Sequence, residues 1–337
     1  YHGMTDHSSY EPEADELDFF NGPDDTERQC GPFALNPDNY HSSLANAAYM
    51  SNSQFNSWMS CAARTYAEQA GTEPEPPENI FIGGQFAHTE ILEPARLPQW
   101  MKDNPGVKKP IEWTHADLKD MAVGAGIDLT GAKSSKDKTI ERLEENNFKI
   151  PRPKLRFATA FKWAPRALSG FVRQPAFMDR IRRGRPEVIV TFKLGNVWWK
   201  AKIDNLRIDD QEFDDIKFMA NFESGWIRED GKRRPVDWEK AHNYPQQMAV
   251  YQFGILQQEG VLCAPNLLGS SKEDPPDVDW IKYTYQEELD ALVAGVAERL
   301  PEVMDWKLGK VEAPRCGQCG YCRRTKILTE PYEPRPM

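Results

Sequence analysis

The clearest periodicity in the chain is the strand-like alternation of "PEVIVTFKLGNVWWKAKIDNLRID", residues 186–209, which turns over at Gly195–Asn196 and predicts a β-hairpin. "FDDIKFMA" continues it as a further short strand, and "VLCAPNLLGS" and "VDWIKYTY" read as later ones. Elsewhere helical spacing dominates. "YMSNSQFNSWMSCAARTYAEQAG" predicts one helix, capped by Ser51 or Ser53, with Phe55, Trp58, Met59 and Ala62 on its apolar face. The proline-rich "TEPEPPEN" leads into "IFIGGQFAHTEILEPARL", a short turn followed by a helix that carries His88. "YPQQMAVYQFGILQQEG" and the long amphipathic "YQEELDALVAGVAERLPEVMDWKLGK" predict two more helices.

Residues 113–147 form a unit of their own in this pattern. Leu118, Met121 and Ala122 mark one helix, Gly124 and Gly126 a turn, and Ile140 and Leu143 a second helix after a Ser/Lys loop. The unit resembles the small helix–extended-loop–helix and SAP-type DNA-binding modules, and it also fits a plain helical hairpin packed on the main domain. It divides the chain into an acidic tail (1–40), a first part of the main domain (41–112), the insertion (113–147) and the remainder of the main domain (148–330).

Composition narrows the class. With 337 residues, 39% of them hydrophobic, the chain can bury one large core or two modest ones. No apolar run approaches the roughly 20 residues of a membrane span, and no signal-peptide pattern opens it, so no membrane is expected. Cys316, Cys319 and Cys322 stand two residues apart in "RCGQCGYCRR", which points to a metal in a reducing cytoplasm rather than to disulfides. Cys263 reads as a small buried hydrophobe, and Cys30 has no visible role.

The net charge of −10 is unevenly spread. Residues 1–29 hold nine Asp/Glu against one Arg, the composition of a poorly ordered tail. Residues 149–185 hold eleven Lys/Arg, Lys149, Arg152, Lys154 and Arg156 among them, against Asp179 alone. Within that stretch Lys162, Arg166, Arg173, Arg180, Arg182 and Arg183 are candidate contacts to a nucleic-acid backbone, because few local acids neutralise them. The aromatics between them (Phe157, Phe161, Trp163, Phe171, Phe177) suit a core stripe better than base stacking.

The residues that carry chemistry lie in "AKIDNLRIDDQEFDDIKF". Asp215 and Lys217 share a strand face, and the hairpin can bring Asp204 beside Asp215. Two such carboxylates suit Mg²⁺ or Mn²⁺, and the lysine can position or deprotonate water or meet charge developing on a phosphate. Asp209, Asp210 and Asp214 read as solvated. Glu187 is either a further site carboxylate or a solvent-facing strand residue. His88 and the Gln247–Tyr251 pair, four apart on one helix face, complete the set.

In this order (upstream Cys, G-x-x-x-H, I-D, D-x-K, Q-x-x-x-Y, Cys triplet) the motifs resemble the RecB-like branch of the PD-(D/E)xK nucleases. The nearest groups are the phage RecE-type exonucleases and the iron–sulfur CRISPR-associated and AddB-type nucleases. The resemblance implies an α/β restriction-endonuclease-like core, a small mixed sheet flanked by helices. It implies metal ligation by His88, Asp204, Asp215 and the carbonyl of Ile216, catalysis by Lys217, and Gln247 and Tyr251 orienting the site or touching DNA. Asp stands at 215 where Glu is commoner. Cys61 matches the upstream cysteine of the iron–sulfur nucleases and would join the triplet around a [4Fe–4S] cluster. The tight C-x-x-C-x-x-C spacing leaves Zn²⁺ as the alternative. The implied activity is exonucleolytic resection of DNA ends for a RecT-like annealing protein, with a homo-oligomer as in ring-forming relatives. Single-strand, flap or spacer-trimming cleavage, and DNA binding by an inactive core, remain the alternatives.

Overall fold

The computed structural model describes residues 31–73, 79–110, 114–130, 135–149, 155–157, 161–229 and 232–328. Most of the acidic tail, with Cys30, and Arg152 and Lys154 of the basic stretch lie outside the described residues. Of the elements that frame the site, helices α1 (Asn52–Ser60), α2 (Ala62–Gln69) and α3 (Asn79–Leu92) lead, followed by the pair α4 (His115–Gly124) and α5 (Lys136–Glu145), then α6 (Trp163–Val172) and α7 (Pro175–Arg183). Strands β1 (Arg185–Leu194), β2 (Val197–Arg207) and β3 (Glu212–Met219) follow, with a ribbon of β4 (Gly225–Glu229) and β5 (Lys232–Val236). Helix α8 (Tyr244–Glu259), strands β6 (Ala264–Ser271) and β7 (Val278–Lys282), and helices α9 (Gln286–Lys307) and α10 (Gly320–Arg324) complete the order.

The main sheet runs β1-β2-β3-β6-β7, and only β3 and β6 are parallel neighbours. A parallel pair needs a crossover, and α8 supplies it. The architecture is therefore mixed α/β, a five-stranded sheet with a core on each face. One core joins Trp58, Val190, Phe192, Trp199, Ile203 and Phe213 to Met248 and Phe253 of α8 and Val296 and Trp306 of α9. The other packs Phe86, Leu168, Phe171 and Phe177 of α3, α6 and α7 on Ile216 and Leu268. Helix α8 lies close to the sheet because Gly254 has no side chain; a Cβ there would stand 2.4 Å from the Phe192 ring. Helices α4 and α5 have a small separate core of Leu118, Ala122, Leu129 and Leu143. Among the described residues no helix is long and apolar enough to cross a membrane.

Several local expectations need correction. The helix expected over 49–71 is two, because Cys61 adopts an extended conformation (φ −162°, ψ 94°) between them. Ser51 is the cap of α1, accepting from the Gln54 amide. Helix α3 runs unbroken through Gly83 and Gly84, with no preceding turn at those positions. Within the segment read as tail, Tyr40 is buried, and its backbone carbonyl accepts from the buried Lys200 ammonium.

The basic stretch changes most. Arg180 is buried, not presented to a phosphate: its Nε donates to Asp214 Oδ1 at 2.7 Å and its Nη1 pairs with Glu212 at 2.8 Å. Asp214, expected in solvent, is fully buried and also accepts from Asn205. Acids distant in sequence neutralise other members, Asp274 beside Arg166 and Asp210 beside Arg183. Lys162, Arg173 and Arg182 are exposed, while Phe161, Phe171 and Phe177 lie in the core as their spacing suggested.

Two predictions follow from these buried charges. Asp214→Ala leaves Arg180 with one carboxylate fewer inside the fold and should lower unfolding free energy by about 3–5 kcal/mol in urea titrations. Lys200 and Lys307, both bound to the Tyr40–Asn46 segment, are brought down to about 8 by burial. Their folded pKa lies below the unfolded value, so the unfolded chain binds more protons between about pH 8 and 10. Stability should rise across that window, and Lys200→Met should flatten the rise.

Candidate active site and thiolate centre

The site lies where the sheet opens. Ile203 and Leu206 both enter the first core although three positions separate them, so the two-residue alternation breaks between them. The β2–β3 ladder stops at Asn205–Asp214. Beyond it Asp204 Oδ2 accepts from the Ile216 amide at 2.7 Å, a side chain taking the place of a ladder carbonyl. On the other side of β2, Glu187 holds a left-handed backbone (φ 54°), a conformation costly for a residue with a Cβ.

His88, projecting from α3, brings Nδ1 to 3.5 Å from Asp204 Oδ1. One ligand atom each from His88, Glu187 and Asp204 lies within 4.8 Å of the others. Two carboxylates and an imidazole form a donor set for a divalent cation. Asp215 lies beside that set: its Oδ2 is 2.6 Å from Lys217 Nζ and its Oδ1 accepts from Gln247 Nε2 at 2.9 Å. Gln247 and Tyr251 share a face of α8, where the amide also meets the Tyr251 phenol. The Ile216 side chain packs in the second core. The residues singled out from the sequence, His88, Asp204, Asp215, Lys217, Gln247 and Tyr251, thus lie in one neighbourhood, and Glu187, paired with Lys202, lies among them.

The four cysteines named from the sequence also meet. The break at Cys61 turns its thiol out of the helical path, toward a chain segment tied back by Ala63 N–H donating to the Pro314 carbonyl at 3.0 Å. Sulfur–sulfur distances are 3.5 Å for Cys61–Cys322, 3.7 Å for Cys61–Cys319 and 3.9 Å for Cys316–Cys322. The Cys319 and Cys322 amides donate to the sulfurs of Cys316 and Cys319 at 3.3 and 3.4 Å. The left-handed Gly317 (φ 73°) provides the first of those turns. Burial pushes the Cys61 thiol up to about 12, whereas the Gln318 and Cys319 amides bring Cys316 down to about 6. Four thiols held this close suit a metal.

Residues 51–325 match the family described as a PDDEXK-like domain of unknown function (DUF3799). The chain belongs to that family. A solved structure from Eubacterium rectale, described as "Putative exonuclease", has the same fold: 23% identity, a TM-score of 0.66, and coverage of 89% of this chain and 97% of that one. No curated protein matches the chain.

Within this PDDEXK-like domain, electrostatics separates the two aspartates. Burial works against ionised Asp204, but His88 and then Lys217 outweigh it and hold the carboxyl down at about 2. Burial dominates at Asp215 and, with the Asp204 charge, raises it to about 6 against the pull of Lys217. Lys217 is itself desolvated, yet Asp215 and Asp204 keep its pKa above the ordinary lysine value. It is a fixed cation. Two neighbours escaped sequence reasoning. Tyr244 stacks its ring 5.2 Å from Lys217 Nζ. Tyr40 faces the carboxylates closely enough that Glu187 and Asp204 add to the effect of burial in raising its phenol. Tyr244 follows Asn243, one turn ahead of the Q-x-x-x-Y pair, and that spacing could have flagged it; Tyr40 sits in a segment whose composition carried no such signal.

If Glu187 shares a cation with His88 and Asp204, Glu187→Gln should weaken Mn²⁺ binding about tenfold or more in calorimetric titrations. Asp210→Asn, on the far end of the β2–β3 connection, should leave it unchanged.

Proposed function

We propose that this PDDEXK-like domain is a divalent-metal-dependent deoxyribonuclease that degrades DNA from its ends. The observation that carries the reading is the meeting of His88, Glu187 and Asp204 beside the Asp215–Lys217 pair, at the one place where the β2–β3 ladder opens. The name given to the Eubacterium rectale protein and the order of motifs favour exonuclease action over internal cleavage.

His88, Glu187 and Asp204, joined by Asp215, would hold Mg²⁺ or Mn²⁺. The bound cation supplies Lewis acidity and positive charge for phosphodiester hydrolysis. Water adds to phosphorus, the bond from phosphorus to the leaving sugar oxygen breaks, and the departing oxygen takes up a proton. Lys217, kept protonated by Asp215 and Asp204, meets the negative charge that develops on the phosphate rather than removing a proton from water. Gln247 fixes the Asp215 carboxylate so that its second oxygen faces Lys217. Tyr244 limits where the ammonium can swing. Lys162, Arg173 and Arg182, exposed members of the basic stretch, would follow a DNA backbone, with helices α4 and α5 as a second DNA contact. A phage recombination setting, in which the single strands produced pass to a RecT-like annealing protein, accords with the sequence resemblance.

The test compares wild type with Lys217→Ala on end-labelled linear duplex DNA in Mn²⁺. Wild type should release nucleotides from ends and spare closed circles, and Lys217→Ala should be slower by about 10²-fold or more. Equal release by both proteins would remove the assignment of Lys217 and of the site with it.

A further inference from the structure

The thiolate centre has a size, and the size selects its occupant. A single ion bound by four cysteines at about 2.3 Å in a tetrahedron sets its sulfurs roughly 3.8 Å apart. In a four-iron cluster each thiolate caps a separate iron corner, so the cysteine sulfurs stand about 6 Å apart. Here the three resolved separations are 3.5, 3.7 and 3.9 Å, and all four sulfurs lie within 4.8 Å of one another. The spread brackets the single-ion value and falls well short of the cluster value.

Local packing keeps the sulfurs where they are. To admit a cube, each would have to retreat by more than an ångström from the common centre. Cys61 and Cys322 are both buried, at 2% exposure each. Cys61 stands between Trp58 and Ala62, both members of the main core, and its helix break is pinned by the Ala63–Pro314 bond. Cys319 serves as the cap of α10, its sulfur accepting from the Cys322 amide, so moving it outward would unmake the turn that carries Cys322.

We infer that the four cysteines hold one tetrahedral metal ion of the zinc class, and that a [4Fe–4S] cluster does not fit this chain. The inference reverses the order of preference that the sequence resemblance implied. It concerns a centre separate from the carboxylate site and does not depend on the nuclease reading. The ion is structural: all four positions are filled by thiolates, so no coordination site is left for substrate or water.

The test is metal content, measured on the full chain purified under anaerobic conditions from cells supplied with both iron and zinc. About one zinc per chain is expected, with no acid-labile sulfide and no broad visible absorption. A mercurial that titrates thiols should release that zinc in step with loss of four thiolates, whether or not any variant folds. Cys319→Ser should lower the zinc to background, while His88→Ala should retain it, which assigns the ion to the thiolates and not to the carboxylate site. Iron and acid-labile sulfide near four each per chain would overturn the proposal. So would a wild-type chain that carries no metal, or zinc that leaves with His88→Ala and stays with Cys319→Ser.

Discussion

The hydrogen bond from the Ile216 amide to the Asp204 carboxylate is the interaction on which the site depends. In an intact ladder that amide would face a backbone carbonyl, and β2 and β3 would stay closed along their length. Giving the acceptor role to a side chain ends the ladder at Asn205–Asp214 and leaves one carboxylate oxygen of Asp204 free to meet His88. The same bond fixes the strand that carries Asp215 and Lys217. One contact therefore opens the sheet, orients the first carboxylate and sets the distance to the ion pair across the gap.

Burial then gives the two sides of that gap different characters. Asp204 is ionised deep into the acid range because a histidine and a lysine face it; Asp215 is poised far higher because desolvation outweighs its lysine. Three carboxylates are expensive to bury without partners, and here His88 faces Asp204, Lys217 faces Asp215 and Lys202 faces Glu187. The strained backbone of Glu187 is part of the same expense, and it is found beside the site rather than elsewhere in the sheet.

Much of this was legible in the residues because period and spacing are local. The β1–β2 hairpin, the D-x-K face and the Q-x-x-x-Y face each follow from short repeats. Cys61 was assigned to the thiolate set by motif order alone, across more than two hundred residues. What could not be read were pairings between distant segments. The sequence around Arg180 is basic and suggests a surface charge; Asp214 and Glu212, which neutralise it, come from a strand that only folding brings near. Glu187 was ambiguous for a similar reason, since its alternation places it on a strand but does not reveal a left-handed φ. The break at Cys61 was invisible because helix propensity runs through it, and what competes with the helix is a ligand set completed from the other end of the fold.

That ligand set has a topological consequence. A metal joining Cys61 to Cys316, Cys319 and Cys322 would close a ring that contains the whole sheet, the second core, most of the first and the carboxylate site. Closing a loop of that length removes unfolded-state entropy worth on the order of 5 kcal/mol if the bond behaves as a permanent cross-link. Unlike a disulfide, this closure can be undone by proton or chelator without any change of oxidation state. The inserted helices α4 and α5 lie within the same ring and bring a small core of their own.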